Sequence, residues 1–441
     1  MSTEERSRLL TELGTSGLYR HSYGYVHEEF LSELAGLRGI RTYREMADND
    51  PVVGAELFAI EQVILSTSWN WQASSEKNSA LRARDFFAGA TEDMSHTLRD
   101  ALSEALTMLP FGWAFMELVY KMRRGPEQQD PRFRSKFSDG LYGWRKWALR
   151  SQETLSRWEF DEEGGIKGLV QVAPPDFTER AIAIEKALLF RTRSNRNDPE
   201  GRSILRNAFR PWYYGKRIEE VEAIGIERDL AGLPVATPPA DYDMLDTKNQ
   251  GEVELVKHIL RNIRRDEQEG ILKPPGWELT LLSTGGRRQI DTDTVANRYN
   301  KLKAMTVLAQ FMMLGMEKVG SFSLALTHED LFLMAVQGWC GGIADTINRH
   351  AVPRLGGLNG IGVEDLPRLE PAAVREPKVA ELGKYIADLV QAGAITTDEP
   401  LEDHLRAIAK LPQKAAAEVK RALKARLGKG KRQVGLLDLV E

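Results

Sequence analysis

The segment from about residue 290 to residue 353 constrains the chain most, because it holds two long helical patterns separated by a short polar loop. Apolar residues at steps of three and four, typical of an amphipathic helix, form the first pattern: Val295, Tyr299, Leu302, Met305, Leu308 and Met312. Polar Arg298, Lys301 and Lys303 fall between them. The second pattern contains Leu331, Met334, Ala335, Gly338, Gly342, Thr346 and His350, and ends at Pro353. Residues 315–324 lie between the two patterns, and together they predict a helical hairpin.

Length and composition place the chain among soluble globular proteins and exclude several classes. The 441 residues suffice for two or three domains. A net charge of −4 argues against a protein that coats nucleic acid but allows one that lets DNA pass without gripping it. The single cysteine, Cys340, excludes an intrachain disulfide and fits a reducing compartment. We see no signal peptide and no run long enough to span a membrane.

Read in order, the chain alternates helical and strand patterns of the α+β class. Residues 1–40 predict an arm that either packs on a neighbouring subunit or is disordered. Asp50 followed by Pro51 predicts a helix start. Residues 69–71 and 113–122 alternate like strands, and the DEEGG sequence at 161–165 is typical of a hairpin turn.

The second half of the chain predicts a helix, an insert and a terminal module. The helix covers residues 203–230, with a cap at Ser203 and a kink or break at Pro211. Residues 235–285 form an insert at the far end of two helices that run away from the body and back. Residues 358–377 predict a connector, and residues 382–428 predict a small helical module before a basic tail.

Motifs of enzymes are absent from the sequence or have a better structural explanation. The patterns GxxxxGK[ST] and HExxH and the paired-cysteine zinc spacing do not occur. Cys340 predicts a buried, inert thiol, and the nine tryptophans predict core packing more strongly than base stacking. Residues 285–288, GGRR, favour a turn over a phosphate contact. Asp291 and Asp293 favour helix capping over metal binding.

Five stretches, taken in order, resemble the portal proteins of tailed bacteriophages, the head-to-tail connectors, and among these the Mu-like branch. Each stretch is weakly specific alone, but their order over roughly residues 40–415 is specific. They are REMADNDPVVGAELFAIEQVILSTSWNW, LPFGWAFMELVYK, RSILRNAFRPWYYGKRIEEVEAIGIERDLAGLP, LAQFMMLGMEKVGSFSLALTHEDLF and KYIADLVQAGAITTDEPLEDHLRAIAKLP. The N-terminal arm and the basic tail match nothing in the family pattern.

The resemblance implies a ring-forming portal fold with a mixed wing domain, a two-helix stem, a small α/β clip insert, a long kinked helix and a C-terminal helical crown. Glycine weakens helix continuity, so the kink is expected at Gly338, Gly341 and Gly342. The implied boundaries are residues 1–40 for the arm, 41–202 for the wing, 203–230 and 291–314 for the stem helices, 231–290 for the clip, 315–324 for the tunnel loop, 325–357 for the long wing helix, and 358–441 for the connector, crown and basic tail.

The resemblance also implies a function. Family members form dodecameric rings at one capsid vertex, through which double-stranded DNA is packaged and ejected. The implied partners are the terminase packaging motor, neck or adaptor proteins and the major capsid protein, in the virion and, during assembly, in the host cytoplasm. No catalytic, cofactor, metal or membrane site is expected. The tunnel loop is expected to bring six residues near the DNA: Met316, Glu317, Lys318, Val319, Gly320 and Ser321.

Two rival functions of other classes stay open at this point. The first is an enzyme, such as a metal-dependent nuclease, with Asp291, Asp293 and Glu329 as metal ligands. The second is a monomeric interaction scaffold with two helical modules. Particle mass separates the scaffold from a ring, and a metal-dependent activity distinguishes the enzyme from both.

Overall fold

The computed structural model describes residues 14–20, 23–231, 233–262, 272–282, 292–306, 322–374, 379–394, 398, 401–402 and 406. The chain divides into two compact units, Met1–Ala372 and Ala373–Glu441. Helices and strands both build the first unit, so the α+β class predicted from the sequence is confirmed. Within the described ranges, no helix combines the length and the apolar character needed to cross a membrane.

Five helices lie between residues 36 and 111, a stretch that the structure describes in full. They are α1 (Gly36–Asn49), α2 (Pro51–Ser66), α3 (Asn78–Glu92), α4 (Leu98–Ala105) and α5 (Met108–Phe111). As predicted, Asp50 starts α2, since its Oδ1 accepts the backbone N–H groups of Val52 and Val53 at 3.0 Å each. Thr97 and Asp100 form a reciprocal capping box at the start of α4. Such caps satisfy N–H groups that have no partner inside the helix.

Seven strands lie between residues 69 and 191, and the last six of them build two antiparallel three-stranded sheets. They are β1 (Trp69–Gln72), β2 (Trp113–Met122), β3 (Tyr142–Arg150), β4 (Leu155–Phe160), β5 (Ile166–Val172), β6 (Glu179–Ala183) and β7 (Ala187–Arg191). One sheet has the order β3-β2-β7 and the other β4-β5-β6. The predicted hairpin turn joins β4 to β5, where the Asp161 carboxylate accepts the Gly165 N–H at 2.6 Å.

Buried aromatic rings pack the two sheets together. Trp113 and Phe115 of β2 meet Trp158 of β4 edge to face, with ring centroids 5.0 and 6.2 Å apart. Trp144 and Trp147 of β3 meet each other at 5.2 Å in a second aromatic group. All four tryptophans are buried. For these residues, the prediction of core packing is confirmed, and the large apolar area of each ring explains it.

Among the described residues of the first unit, seven α-helices and β-strands follow the helix Phe209–Ala231. The elements from residue 209 onward are α6 (Phe209–Ala231), β8 (Leu233–Thr237), α7 (Gln250–Asn262), β9 (Glu278–Leu282), α8 (Thr292–Thr306), α9 (Phe322–Thr346), α10 (Val352–Leu358) and β10 (Arg368–Pro371), with the five-residue π-helical turn Ile347–Ala351 joining α9 to α10. β10 pairs with β1, with Leu369 opposite Trp71. The Asn348 side chain also donates to the Leu369 C=O and accepts the Leu369 N–H. Residues 368–371 therefore belong to the first unit, and their prediction as part of a connector is wrong.

The helix predicted over residues 203–230 begins differently in the structure. Residues Ile204–Asn207 form a 3-10 turn, capped as predicted by Ser203, which accepts the Leu205 N–H at 3.0 Å. α6 then begins at Phe209 and is not interrupted at Pro211. Pro211 lies in the first turn of α6, where its missing N–H removes no helical hydrogen bond, so the helix is not broken there. The interruption lies before Phe209, between the 3-10 turn and α6. The predicted break at Pro211 is therefore wrong in position.

Helix α9 is continuous through Gly338, Gly341 and Gly342, and hydrogen bonding departs from the α pattern only at the π-helical turn beyond them. The kink at these glycines stays a prediction. Cys340, on the same helix, is fully buried, and burial raises the pKa of its thiol to about 11. The prediction that this thiol is buried is confirmed, and the raised pKa disfavours the reactive thiolate.

The described part of the N-terminal arm packs on its own body. The Gly24 C=O accepts the Trp158 N–H at 3.0 Å. Gly24 has φ +84°, and a Cβ there would lie 1.9 Å from the Trp158 oxygen, so the position requires glycine. Glu29 accepts two hydrogen bonds from the Arg206 guanidinium. Residues 23–35 are thus attached to their own subunit, an arrangement that the sequence does not indicate.

The second unit contains helix α11 (Val379–Gln391). Gly393 ends it in the left-handed conformation, with φ +68°, and the Ala394 N–H returns to the Leu389 C=O at 3.0 Å. This helix overlaps the beginning of the predicted terminal module. Most of that module and the whole basic tail lie outside the described residues.

A buried carboxylate gives the first testable prediction. Asp93 accepts hydrogen bonds from Ser135 and Lys136 and lies 3.0 Å from the buried Lys121 ammonium. Asp93→Ala leaves this ammonium without a counter-charge, so we expect a loss of about 3–5 kcal/mol in the free energy of unfolding. The exposed Asp85→Ala is the control, with an expected loss below about 1 kcal/mol. Denaturant unfolding measures both, and equal losses would contradict the prediction.

Candidate functional site

Helices α6 and α8 pack side by side and form a unit that we name the helix pair. A Cβ on Gly215 would lie 3.4 Å from Cβ of Tyr299, and the rings of Tyr214 and Tyr299 stack with centroids 6.4 Å apart. Further along, Thr292 donates a hydrogen bond to Glu222. Residue numbers rise along one helix as they fall along the other, so the helices are antiparallel. This pairing agrees with the predicted two helices that run away from the body and back and carry an insert. The predicted hairpin of α8 with α9 stays a prediction, because the residues that connect them lie outside the described ones.

One end of the helix pair is fixed in the body. Trp212 and Leu205 pack with Met46 of α1 and Val53 of α2 in one buried cluster. This cluster holds the start of α6 against the first two helices, because each of these side chains removes apolar surface from water. The other end of α6 leads away from the cluster and into the insert.

The insert closes at its base through two paired strands. β8 and β9 are antiparallel, with Thr237 opposite Glu278. The insert has a small core of its own, in which Val256 of α7 and Trp277 are buried and the Tyr242 ring meets Trp277 edge to face at 5.1 Å. The paired strands follow α6 directly and precede α8, so the insert is attached at the end of the helix pair that is distant from Trp212.

A buried ion pair joins α8 to α2. The Lys303 ammonium donates to Oδ2 of Asp50, and Oδ1 of the same carboxylate caps α2. Lys303 is 2% exposed, so its prediction as one of the polar residues outside the apolar pattern is wrong. Lys303 follows Tyr299 by four residues and thus shares its helix face. This spacing is the signal that points to burial, and the sequence interpretation misses it.

Glu56 lies beside this ion pair, and we name Asp50, Glu56 and Lys303 the junction cluster. Glu56 is 1% exposed, and neither of its carboxyl oxygens has a hydrogen-bond partner among the described residues. Burial, and secondarily the charge of Asp50, raise the pKa of Glu56 to about 8, while Lys303 opposes the shift. The Glu56 carboxyl is therefore mostly neutral at neutral pH.

The residues predicted to face DNA, Met316 to Ser321, lie outside the described residues. The described residues end at Thr306 and begin again at Phe322, the first residue of α9. Residues 322–324 are helical because the FSLAL sequence continues the apolar pattern of α9, so their prediction as part of the loop is wrong. The end of α8 and the middle of α9 both line one cleft of about 240 Å³. The lining residues are Thr192, Arg193, Arg202, Ser203, Ile204, Asn207, Thr306, Ala335 and Trp339.

The proposed metal ligands of the rival enzyme do not form a site in the part of the chain that is described. No group of three His, Cys, Asp or Glu side chains there is arranged to hold a metal ion. Asp293 and Glu329 are exposed, and Asp291 lies outside the described residues.

Comparison with protein families gives one match. The family model described as the portal protein of Mu bacteriophage matches residues 40–410. This range contains the helix pair, the insert, the junction cluster and α9. A search of curated proteins finds no match.

Among the solved structures with a similar fold are chains from gene transfer agent (GTA) particles. A chain from the neck of the empty GTA particle, computed with C6 symmetry, is 12% identical with a TM-score of 0.54. A chain from the native GTA virion is 10% identical with a TM-score of 0.53, and one from the neck of the native particle, computed with C12 symmetry, is 12% identical with a TM-score of 0.51. Each match covers 90% of this chain and 97% of the other. At these identities the likeness is one of fold.

The junction cluster gives a prediction about pH. Because the pKa of Glu56 rises from 4.5 to about 8 on folding, the neutral form is favoured in the folded state. Stability is then fully present below about pH 4.5 and declines as the pH rises toward 8. Glu56→Gln removes this decline. Between pH 5 and pH 8.5, we therefore expect the free energy of unfolding of the variant to rise by roughly 2 kcal/mol relative to that of the wild type.

Unfolding midpoints of the wild type and the variant at the two pH values measure this effect. The exposed Glu76→Gln is the matched control and should follow the wild type. The same pH dependence in wild type and Glu56→Gln would show that Glu56 ionises normally.

Proposed function

The chain belongs to the family of Mu bacteriophage portal proteins, and we propose that it forms a closed ring at one capsid vertex, through which double-stranded DNA is packaged and ejected. The observation that carries this proposal is the family match over residues 40–410. The fold shared with chains from the neck and virion of GTA particles supports it. Neither comparison favours a nuclease or a monomeric scaffold.

The proposed ring has twelve subunits, as the C12 symmetry of the native GTA neck suggests. A ring of this kind closes by rotation, so each subunit presents two different surfaces, one to each neighbour. Twelve subunits of 49.6 kDa give a particle of about 600 kDa.

We assign the parts of the fold to roles in this ring. The body with the first seven strands is the wing, the helix pair is the stem, and the insert is the clip. Helices α9 and α10 form the long wing helix, residues 315–321 the tunnel loop, and the unit that contains α11 the crown. The attachment of the insert at the distant end of the helix pair supports its role as the clip, since a small folded insert there is accessible to other proteins.

We propose that the clip binds the terminase packaging motor during assembly in the host cytoplasm and the neck or adaptor proteins in the finished virion. The wing faces the major capsid protein. The ring itself catalyses nothing and holds no cofactor. The sequence has no GxxxxGK[ST] motif, which supports assigning ATP hydrolysis to the motor.

The charge of the chain supports passage of DNA without a tight grip. A channel lined with many cations would hold DNA, because phosphate neutralisation releases counterions and strengthens binding. The chain has a net charge of −4. In the tunnel loop, Lys318 adjoins Glu317, so that each subunit adds little net charge where the DNA passes.

Ring formation is the first test. We expect the purified full-length chain to form particles near 600 kDa with a central channel in negative-stain images and to hydrolyse no ATP. Native mass spectrometry gives the subunit number. A stable monomer at every protein and salt concentration would contradict the proposal and favour the scaffold.

The tunnel loop is tested separately. Deleting residues 318–321 shortens the proposed constriction and should leave rings intact while DNA packaging or retention falls. Ring mass and nuclease-protected DNA per particle measure the two properties. A deletion of equal length in the basic tail, residues 429–432, is the control. Full packaging and retention in the loop deletion would end this assignment.

A further inference from the structure

One face of the helix pair carries arginine side chains and tyrosine rings in a continuous row. The Arg210 guanidinium carbon lies 6.0 Å from the centroid of the Tyr214 ring. That ring stacks on Tyr299 of α8 at 6.4 Å and 25°. The Arg298 guanidinium carbon lies 5.1 Å from the Tyr299 centroid. We name these four residues the arginine–tyrosine face.

The two arginines on this face are accessible to a ligand. Arg210 and Arg298 are exposed, and Tyr214 is 45% exposed. No carboxylate within the described ranges forms an ion pair with either arginine. Each guanidinium is held near an aromatic ring by a cation–π contact. The ring limits the movement of the side chain and leaves its N–H donors unused by acidic groups.

Charge on the helix pair is divided along its length. The half attached to the body carries Arg210, Lys216, Arg217, Arg298 and Lys301, and the half next to the insert carries Glu219, Glu220, Glu222 and Asp293. Glu45 of α1 neutralises Lys216, whereas Arg217 lies over the Tyr213 ring. The arginine–tyrosine face therefore lies in a cationic band that borders an anionic one.

We propose that the arginine–tyrosine face binds the phosphate backbone of double-stranded DNA. The inference rests on the proposed ring, whose symmetry repeats the face around the channel. A guanidinium fork matches two phosphate oxygens, and the adjacent tyrosine keeps the fork in place. Phosphate contacts carry no sequence information, so any DNA can pass. The neighbouring acidic residues keep each contact weak, which permits sliding.

The test uses wild-type rings and the double variant Arg210→Gln/Arg298→Gln with a short fluorescent duplex at several salt concentrations. We expect affinity at low salt to fall at least tenfold and the slope of log K against log salt to decrease in magnitude by about 2 for each subunit face that contacts the duplex. Arg210→Lys/Arg298→Lys keeps the charges and should keep the slope. Arg82→Gln/Arg124→Gln removes the same charge from α3 and the β2–β3 connection, and serves as the matched control.

Ring mass is measured on every sample, so that two failures are distinguishable. If intact rings of the glutamine variant bind DNA with unchanged affinity and slope, the inference is wrong and the proposed ring stands. If this variant alone stops forming rings, the face contacts a neighbouring subunit and not DNA. If the wild type forms no ring, the proposed function itself fails and the inference fails with it.

Discussion

The structure depends on one carboxylate that serves two helices at once. Asp50 caps α2 with one oxygen and binds the buried Lys303 of α8 with the other. Removing two charges from water is costly, and the close contact and the two backbone hydrogen bonds offset this cost. Because Lys303 lies in the last described turn of α8, the pair holds this end of the described helix against the start of α2.

The same end of the helix pair is also fixed through α6, whose Trp212 packs into the core of α1 and α2. Both helices of the pair are therefore attached at one end, and the insert with its own core is carried at the other. This division separates the attachment to the body from the insert, which we propose as the part that binds other proteins. It also separates the cationic half of the pair from the anionic half.

Local chemistry was predictable where a few adjacent residues decide the structure. The Asp50 cap, the turn at 161–165 and the strand over 113–122 follow from short patterns, and each is confirmed. Two interpretations failed because a distant partner decides. β10 needs β1 nearly 300 residues earlier in the chain, and Lys303 needs Asp50.

The α+β class, the principal helices, the buried tryptophans and the resemblance to portal proteins could be inferred from the residues alone, because periodicity, capping and ordered motifs are properties of neighbouring residues. The folded arrangement was needed to show that a lysine is buried beside a neutral glutamic acid, and that Arg210 and Arg298, on two different helices, share one face with two tyrosines. Those facts depend on helix packing, which brings together residues that no spacing along the chain relates.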